Sequence, residues 1–300
     1  MSLDEKAKID EISPIPSHSS GQAPAATEYS TPSLSALDNL QVLPKIFQEG
    51  VLFVASGPAL LLQAAQPGIN SKNNSSSNST SSNLTSELPA TLHATLSYLA
   101  CLVFGTREEK AALIGRLRLG QPPGLPSQGR ANHPPSQLWL AATLYVTATD
   151  FYQRVYGTFD FRTSEAAYIE FGLVLRHLAP TVFPQGAWPS SRTEFWKYWD
   201  DQIDNLVVSA EAQNFATDLT QRTDLPRGVG FTKPVLRAIT VEMLPVRIRD
   251  AYGLKSTVGT RRLYSTSLGF LKPVYPLLPR GWKSHPVQYY LEELRKQINA

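Results

Sequence analysis

The stretch SQLWLAATLYVTATDFYQRVYG, Ser136 to Gly157, decides how this chain is read. Its apolar residues recur at helical rather than alternating spacing, and a glycine stands at its end. Within it Trp139, Thr143, Thr147, Asp150 and Arg154 fall near i, i+4, i+8, i+11 and i+15, a polar and aromatic stripe on one face of an otherwise apolar helix. Buried polar groups require partners, whether from the protein or from a ligand. As a functional face the stripe, with Thr95 and Tyr98 from a neighbouring helix, lines a substrate cavity in which Asp150 or Tyr145 serves as acid or base and hydroxyls such as that of Thr143 orient a carbonyl. As ordinary structure it is an Asp150 to Arg154 helix pair with packing threonines.

The segments around it read the same way. LPATLHATLSYLACLVFG, from Leu88, has Pro89 in its first turn, Gly105 past its end and almost no charge between, which predicts a core helix. TREEKAALIGRLRLG begins with Thr106 as a cap and Glu108 and Glu109 in the first turn, then runs into the Pro/Gly loop QPPGLPSQGRANHPP. FRTSEAAYIEFGLVLRHLAP opens on a capping box, Thr163 or Ser164 ahead of Glu165. Upstream, Leu40 to Phe53 predicts a first helix and Gly57-Pro58 a turn into a second, ALLLQAAQ, stopped by Pro67-Gly68. RTEFWKYWDDQIDNL and AEAQNFATDLTQR are amphipathic, and the last third alternates short helices with Pro-rich turns, ending in QYYLEELRKQIN. Strand-like alternation is scarce and no repeat of 20 to 50 residues is visible, so the expected fold is all-α, a single globular helical bundle. Residues 1–36 are expected as a disordered tail, 37–300 as the domain, with a Ser/Asn-rich loop at 70–87.

Composition narrows the function classes. The 28 Lys and Arg against 25 Asp and Glu leave a formal charge of +3 without a long run of like charge, so no nucleic-acid partner is expected. The single cysteine, Cys101, excludes an intramolecular disulfide and a cysteine zinc cluster; on its apolar helix it is expected to be inert. VLFVASGPALLLQAA, from Val51, is shorter than the roughly 20 residues of a spanning helix, so no obligatory membrane span is expected. The N-terminus reads as neither a signal peptide nor a presequence, and the four sequons between Asn73 and Thr85 read as a solvated loop. The expected placement is cytoplasmic, with the endoplasmic reticulum surface as a second setting. No dinucleotide fingerprint, phosphate loop, zinc-protease motif or nucleophile elbow occurs.

Five segments in the same order resemble one family: GPALLLQAAQPGI, TLSYLACLVFGTREEKAALI, QLWLAATLYVTATDFYQRVYG, FPQGAWPSSRTEFWKYWDDQI, and LPVRIRDAYGL with PLLPRGWKSHPVQYYLEEL. They are similar to the haem b oxygenases that include latex-clearing rubber oxygenase and the fungal mycophenolic-acid oxygenase MpaB, over roughly Leu43 to Leu294. The resemblance implies a globin-like all-α core enclosing haem b and an apolar tunnel for isoprenoid chains.

Three positions depart from the family pattern. Ala65-Gln66-Pro67 stands where members carry Ala-His-Pro. Thr91 replaces an Arg four residues before Thr95. Gln121 stands at about the place of the His that ligates the iron, and amides are rarely axial ligands. If haem is bound, His93 or His177 on the helices is the replacement ligand; His18, His133 and His285 lie in the tail, in a Pro-rich loop and before Pro286. Otherwise no metal and no cofactor is expected.

The leading expectation is therefore an enzyme of fungal secondary metabolism that folds a small hydrophobic, terpenoid substrate into a reactive shape without a cofactor, through cyclisation, isomerisation or a Diels-Alder type cycloaddition. Gln66, Thr91, Thr95, Tyr98, Trp139, Thr147 and Arg154 would bind substrate, with Asp150, Tyr145 and Thr143 catalytic. Tyr152, Tyr156, Phe159, Phe161, Trp188, Trp196 and Trp199 are either pocket walls or core packing. The alternatives are a haem b oxygenase acting on an isoprenoid C=C bond, and a non-catalytic binding protein on the same scaffold. The oligomeric state is left open.

Overall fold

The computed structural model describes residues 34–47, 52–66, 82–124, 134–178, 182–222, 233–277 and 280–299, all within one compact unit, Pro32–Ala300. Every regular element among them is helical, as the sequence predicts. A 3-10 turn, Leu34–Asn39, precedes α1 (Leu43–Phe47) and α2 (Leu52–Ala64). Then come α3 (Ser82–Phe104), α4 (Arg107–Arg118), α5 (Pro134–Tyr156), α6 (Phe161–His177) and α7 (Arg192–Asn205). The rest is α8 (Ala210–Thr217), α9 (Lys233–Met243), α10 (Val246–Ala251), α11 (Val258–Val274) and α12 (Arg280–Asn299).

The segment from Ser136 lies inside α5, the centre of the molecule. Helix α5 packs chiefly against α2, with α1 and α11 alongside; α2 in turn touches α3, α8 and α9, while α12 lies on α3. The core joins Leu61, Leu62, Leu99, Leu102, Trp139, Phe171 and Phe195, none more than 2% exposed. Burying side chains of this size contributes about 1.5–3 kcal/mol each.

Several boundaries differ from expectation. No single helix spans Leu40 to Phe53. The chain is bent at 40–42, where the Glu170 carboxylate of α6 accepts the N–H groups of Gln41, Val42 and Leu43 at 2.7–3.2 Å and starts α1 from across the fold. A cap more than 100 residues away leaves no local signal. Gly57-Pro58 does not make a turn: α2 runs through both. A Cβ on Gly57 would collide with Thr240 Oγ1, so this glycine lets α9 press against α2. Pro58 gives up one helical N–H bond while holding a φ that suits the helix.

Helix α3 begins at Ser82, so Pro89 is interior and residues 82–87 of the expected loop are helical. Helix α6 begins on Asp160, whose carboxylate accepts from Thr163 N at 2.8 Å, rather than on a box at Thr163 or Ser164; Glu165 pairs with Arg192 at 3.0 Å. The Thr106 to Glu109 box forms as expected. The last third carries two long helices, α11 and α12, not only short ones. The packed chain starts before residue 37, since Leu34–Asn39 is folded; the rest of the tail, most of the Ser/Asn loop and His18 and His133 lie outside the described residues, as does the side chain of His285. One stretch among the described residues, Ser86–Phe104 of α3, is long and apolar enough to cross a membrane, and 61% of it is buried within the fold.

Candidate functional site

At about 100° per residue, α5 presents three faces. The first carries the predicted stripe, and it looks toward α2 and α11. Trp139 donates its indole N–H to Leu62 O at 2.9 Å and stacks on Trp199 with ring centres 5.0 Å apart. Thr143 Oγ1 donates to Leu140 O at 2.9 Å and accepts from Gln63 Nε2 at 3.1 Å. Thr147 donates back to Thr143 O at 2.7 Å. Asp150 binds Arg154 at 2.8 Å, both side chains more than a third exposed, and Arg154 also donates to the Tyr264 hydroxyl at 2.5 Å. The stripe is a helix-to-helix seam.

The second face carries Tyr145 into an aromatic box. Tyr168, Phe171, Trp188 and Phe195 surround it at ring distances of 5.3–5.8 Å. Gly172 makes room for Trp188, whose Cδ1 would lie 2.8 Å from a Cβ there. Burial pushes the Tyr145 hydroxyl up to about 12, which favours its protonated form.

The third face borders a cavity of about 20 Å³ between α3, α5 and α6. Thr95 and Gln137 are the polar residues on its wall; Leu144, Phe171, Leu175 and Phe183 are among the apolar ones. Such a volume holds about one water. Thr95 thus faces this cavity while Thr143, Thr147, Asp150 and Arg154 do not line it, so among the described residues this cavity does not gather the expected catalytic and substrate-binding residues. Thr95 donates to Thr91 O at 2.8 Å, so the two buried threonines on one face of α3 are linked through the backbone. Tyr98 donates to Pro123 O and ties the turn after α4 to the core; burial raises its hydroxyl well above the ordinary value.

The remaining aromatic candidates also pack among themselves. Tyr152, Tyr156 and Phe159 stack at 4.6–5.5 Å, whereas Phe161 and Trp196 are exposed. Burial pushes the Cys101 thiol up to about 12, as expected for an inert cysteine. Two polar residues escaped the sequence reading. Gln63, buried at 3% exposure, completes the Thr143 contact, and its one signal was an amide inside the apolar run Ala59–Ala65. Gln137 precedes the stripe by two residues and so points to another face.

The positions that depart from the family pattern can now be placed. Gln66 is buried at the end of α2, its N–H bonded to Gln63 O at 3.1 Å. Gln121 is exposed beyond α4, its N–H bonded to Arg116 O. At the positions where the family pattern has a His and an Arg, an exposed amide and a pair of buried threonines without the cation are not a donor set for haem. Of the two helical histidines, His93 packs edge-on against Tyr290 at 4.9 Å. His177 differs: Nδ1–H donates to Leu173 O at 2.8 Å, and Nε2 is buried without a hydrogen-bond partner among the described residues. No group of three or more His, Cys, Asp or Glu able to hold a metal occurs among the described residues.

A profile of the family described as "ER-bound oxygenase mpaB/B'/Rubber oxygenase, catalytic domain" matches residues 45–272. Uncharacterized proteins of Mycobacterium bovis and Mycobacterium tuberculosis are each 26% identical over 207 residues, covering 66% of this chain and 79% of theirs. No solved structure matches the chain.

Proposed function

The chain belongs to the MpaB and rubber oxygenase family, and from that premise we propose that it is an enzyme of secondary metabolism that converts a hydrophobic terpenoid substrate without haem. The observation that carries this reading is Gln121: the residue at about the axial-ligand position is an amide, and it stands exposed beyond α4 rather than in the core. The reaction class is cyclisation or isomerisation, including intramolecular cycloaddition. Such reactions need a held conformation more than titrating groups, and confining reacting atoms contributes about 7–11 kcal/mol in the best oriented cases.

The α3, α5 and α6 cavity is the proposed starting point of the substrate site. At about 20 Å³ it takes a terpenoid only if the end of α6 and the following turn, Leu178 with Val182 and Phe183, separate from Thr95 and Leu144. Thr95 and Gln137 then offer the polar contacts to a carbonyl or hydroxyl.

Incubating iron-free protein with linear polyene intermediates under argon tests this. The reading predicts a product of unchanged mass; a product formed only with haem and dioxygen, and carrying oxygen, contradicts it. The unpartnered Nε2 of His177 favours a second reading, a haem b oxygenase in which His177 would hold the haem and the group, when bound, would supply dioxygen chemistry at a C=C bond.

A further inference from the structure

Away from α5 lies a much larger space. The end of α8, the π-helical segment Asp218–Arg222 that follows it, the start of α9 and the link from α10 into α11 enclose a cleft of about 1060 Å³. Small-molecule sites span roughly 300–1,000 Å³. Lys233 and Arg237 of α9 and Lys255 of the link line it, and no Asp or Glu does among the described residues. None of these three cations forms an ion pair among the described residues.

Glu242 of α9, whose partner Thr260 lines the cleft, is already engaged. Glu242 accepts from the Ser256 hydroxyl at 2.7 Å and from Thr260 Oγ1 at 3.2 Å, and pairs with Arg249 at 3.7 Å. The floor is fixed: Tyr252, which lines the cleft, donates to Leu61 O of α2 at 2.6 Å. Thr217 and Thr220 add hydroxyls to the opposite wall, while Leu254 and Leu263 give it an apolar side.

Three unneutralised cations around one concave space repel each other and concentrate anions. An arginine fork beside lysine point charges suits a group with several oxygens, such as a phosphate or diphosphate, better than a lone carboxylate. We propose that this cleft binds a small soluble ligand bearing a phosphate or diphosphate group, with Lys233, Arg237 and Lys255 as its contacts and the Leu254 and Leu263 side taking an attached apolar portion. The site is separate from the α5 interior, and the proposal does not rest on the cyclisation reading.

The test uses the full chain with inorganic pyrophosphate as probe, read by calorimetric titration and by thermal melting against sodium chloride of equal ionic strength. Saturable binding is expected, with a rise in Tm that salt alone does not produce. Arg237→Ala is expected to weaken binding at least tenfold, and the combination with Lys233→Ala and Lys255→Ala to abolish it while helical circular dichroism is unchanged. The same proteins are floated with phosphatidylcholine vesicles with and without phosphatidylserine. No pyrophosphate binding, binding that survives in the triple variant, or flotation with anionic vesicles while pyrophosphate is silent each overturns the proposal, the last by assigning the cations to a lipid headgroup surface.

Discussion

The interior around α5 and the cleft beside α9 and α11 handle polar groups in opposite ways. Along α5, Thr143, Thr147 and Trp139 each have a protein partner within 3.1 Å, and the nearby cavity holds about 20 Å³. In the cleft, Lys233, Arg237 and Lys255 have no ion-pair partner among the described residues and surround about 1060 Å³. The comparison teaches that a polar stripe on an apolar helix marks a seam when a neighbouring helix answers it, and that unanswered charge is the better pointer to a ligand. It also gives α5 a defined role: it is the post against which α2 is chiefly set, with α1 and α11 alongside.

If the interior is a tightly answered seam, damage there is severe. Truncating Phe195 or Trp139 to alanine is expected to cost about 3–5 kcal/mol, read from chemical denaturation, since both rings are fully buried. Gly57→Ala is a sharper probe because its sign is diagnostic. In an exposed helix it would stabilise by about 0.5–1 kcal/mol. Here the added Cβ meets Thr240 Oγ1, and the expected result is a loss of about 1–3 kcal/mol, relieved in part by Thr240→Ala.

Thr143→Val strands the Gln63 amide and is expected to cost about 1–3 kcal/mol, with the double variant Gln63→Leu/Thr143→Val losing less than the sum of the two singles. High pH acts in the same direction. An unfolded tyrosine titrates near 10, and Tyr145 in the fold near 12; its folded pKa is raised, so the stability it contributes is complete below pH 10 and is lost as pH rises through about 12. Denaturation midpoints measured from pH 9 upward should fall, less steeply in Tyr145→Phe.

The smallest effect belongs to the half-exposed pair: Asp150→Asn should change stability by no more than about 0.5 kcal/mol. A large loss of activity in that variant with stability intact would assign Asp150 a catalytic role.

The all-α class was legible because apolar periodicity and caps such as Thr106 are local. What was not legible is long-range. Glu170 starts α1 from α6, and the close approach of Thr240 is what position 57 needs a glycine for. For the site, the spacing of Trp139 to Arg154 correctly put those residues on one face, but spacing cannot say which helix that face meets. The answer, α2 through Leu62 and Gln63, separated the stripe from Thr95. Lys233, Arg237 and Lys255 are scattered single charges in the sequence, and only the fold gathers them on one cleft.

The central claim is that this oxygenase scaffold works without haem, and the most direct measurement is the visible spectrum and iron content of protein purified from a culture supplied with haem precursor. The account predicts a folded protein with no Soret band and far less than one iron per chain. A Soret band with one iron per chain, lost in His177→Ala while the helical fold persists, would contradict it and assign the axial ligand to His177 Nε2.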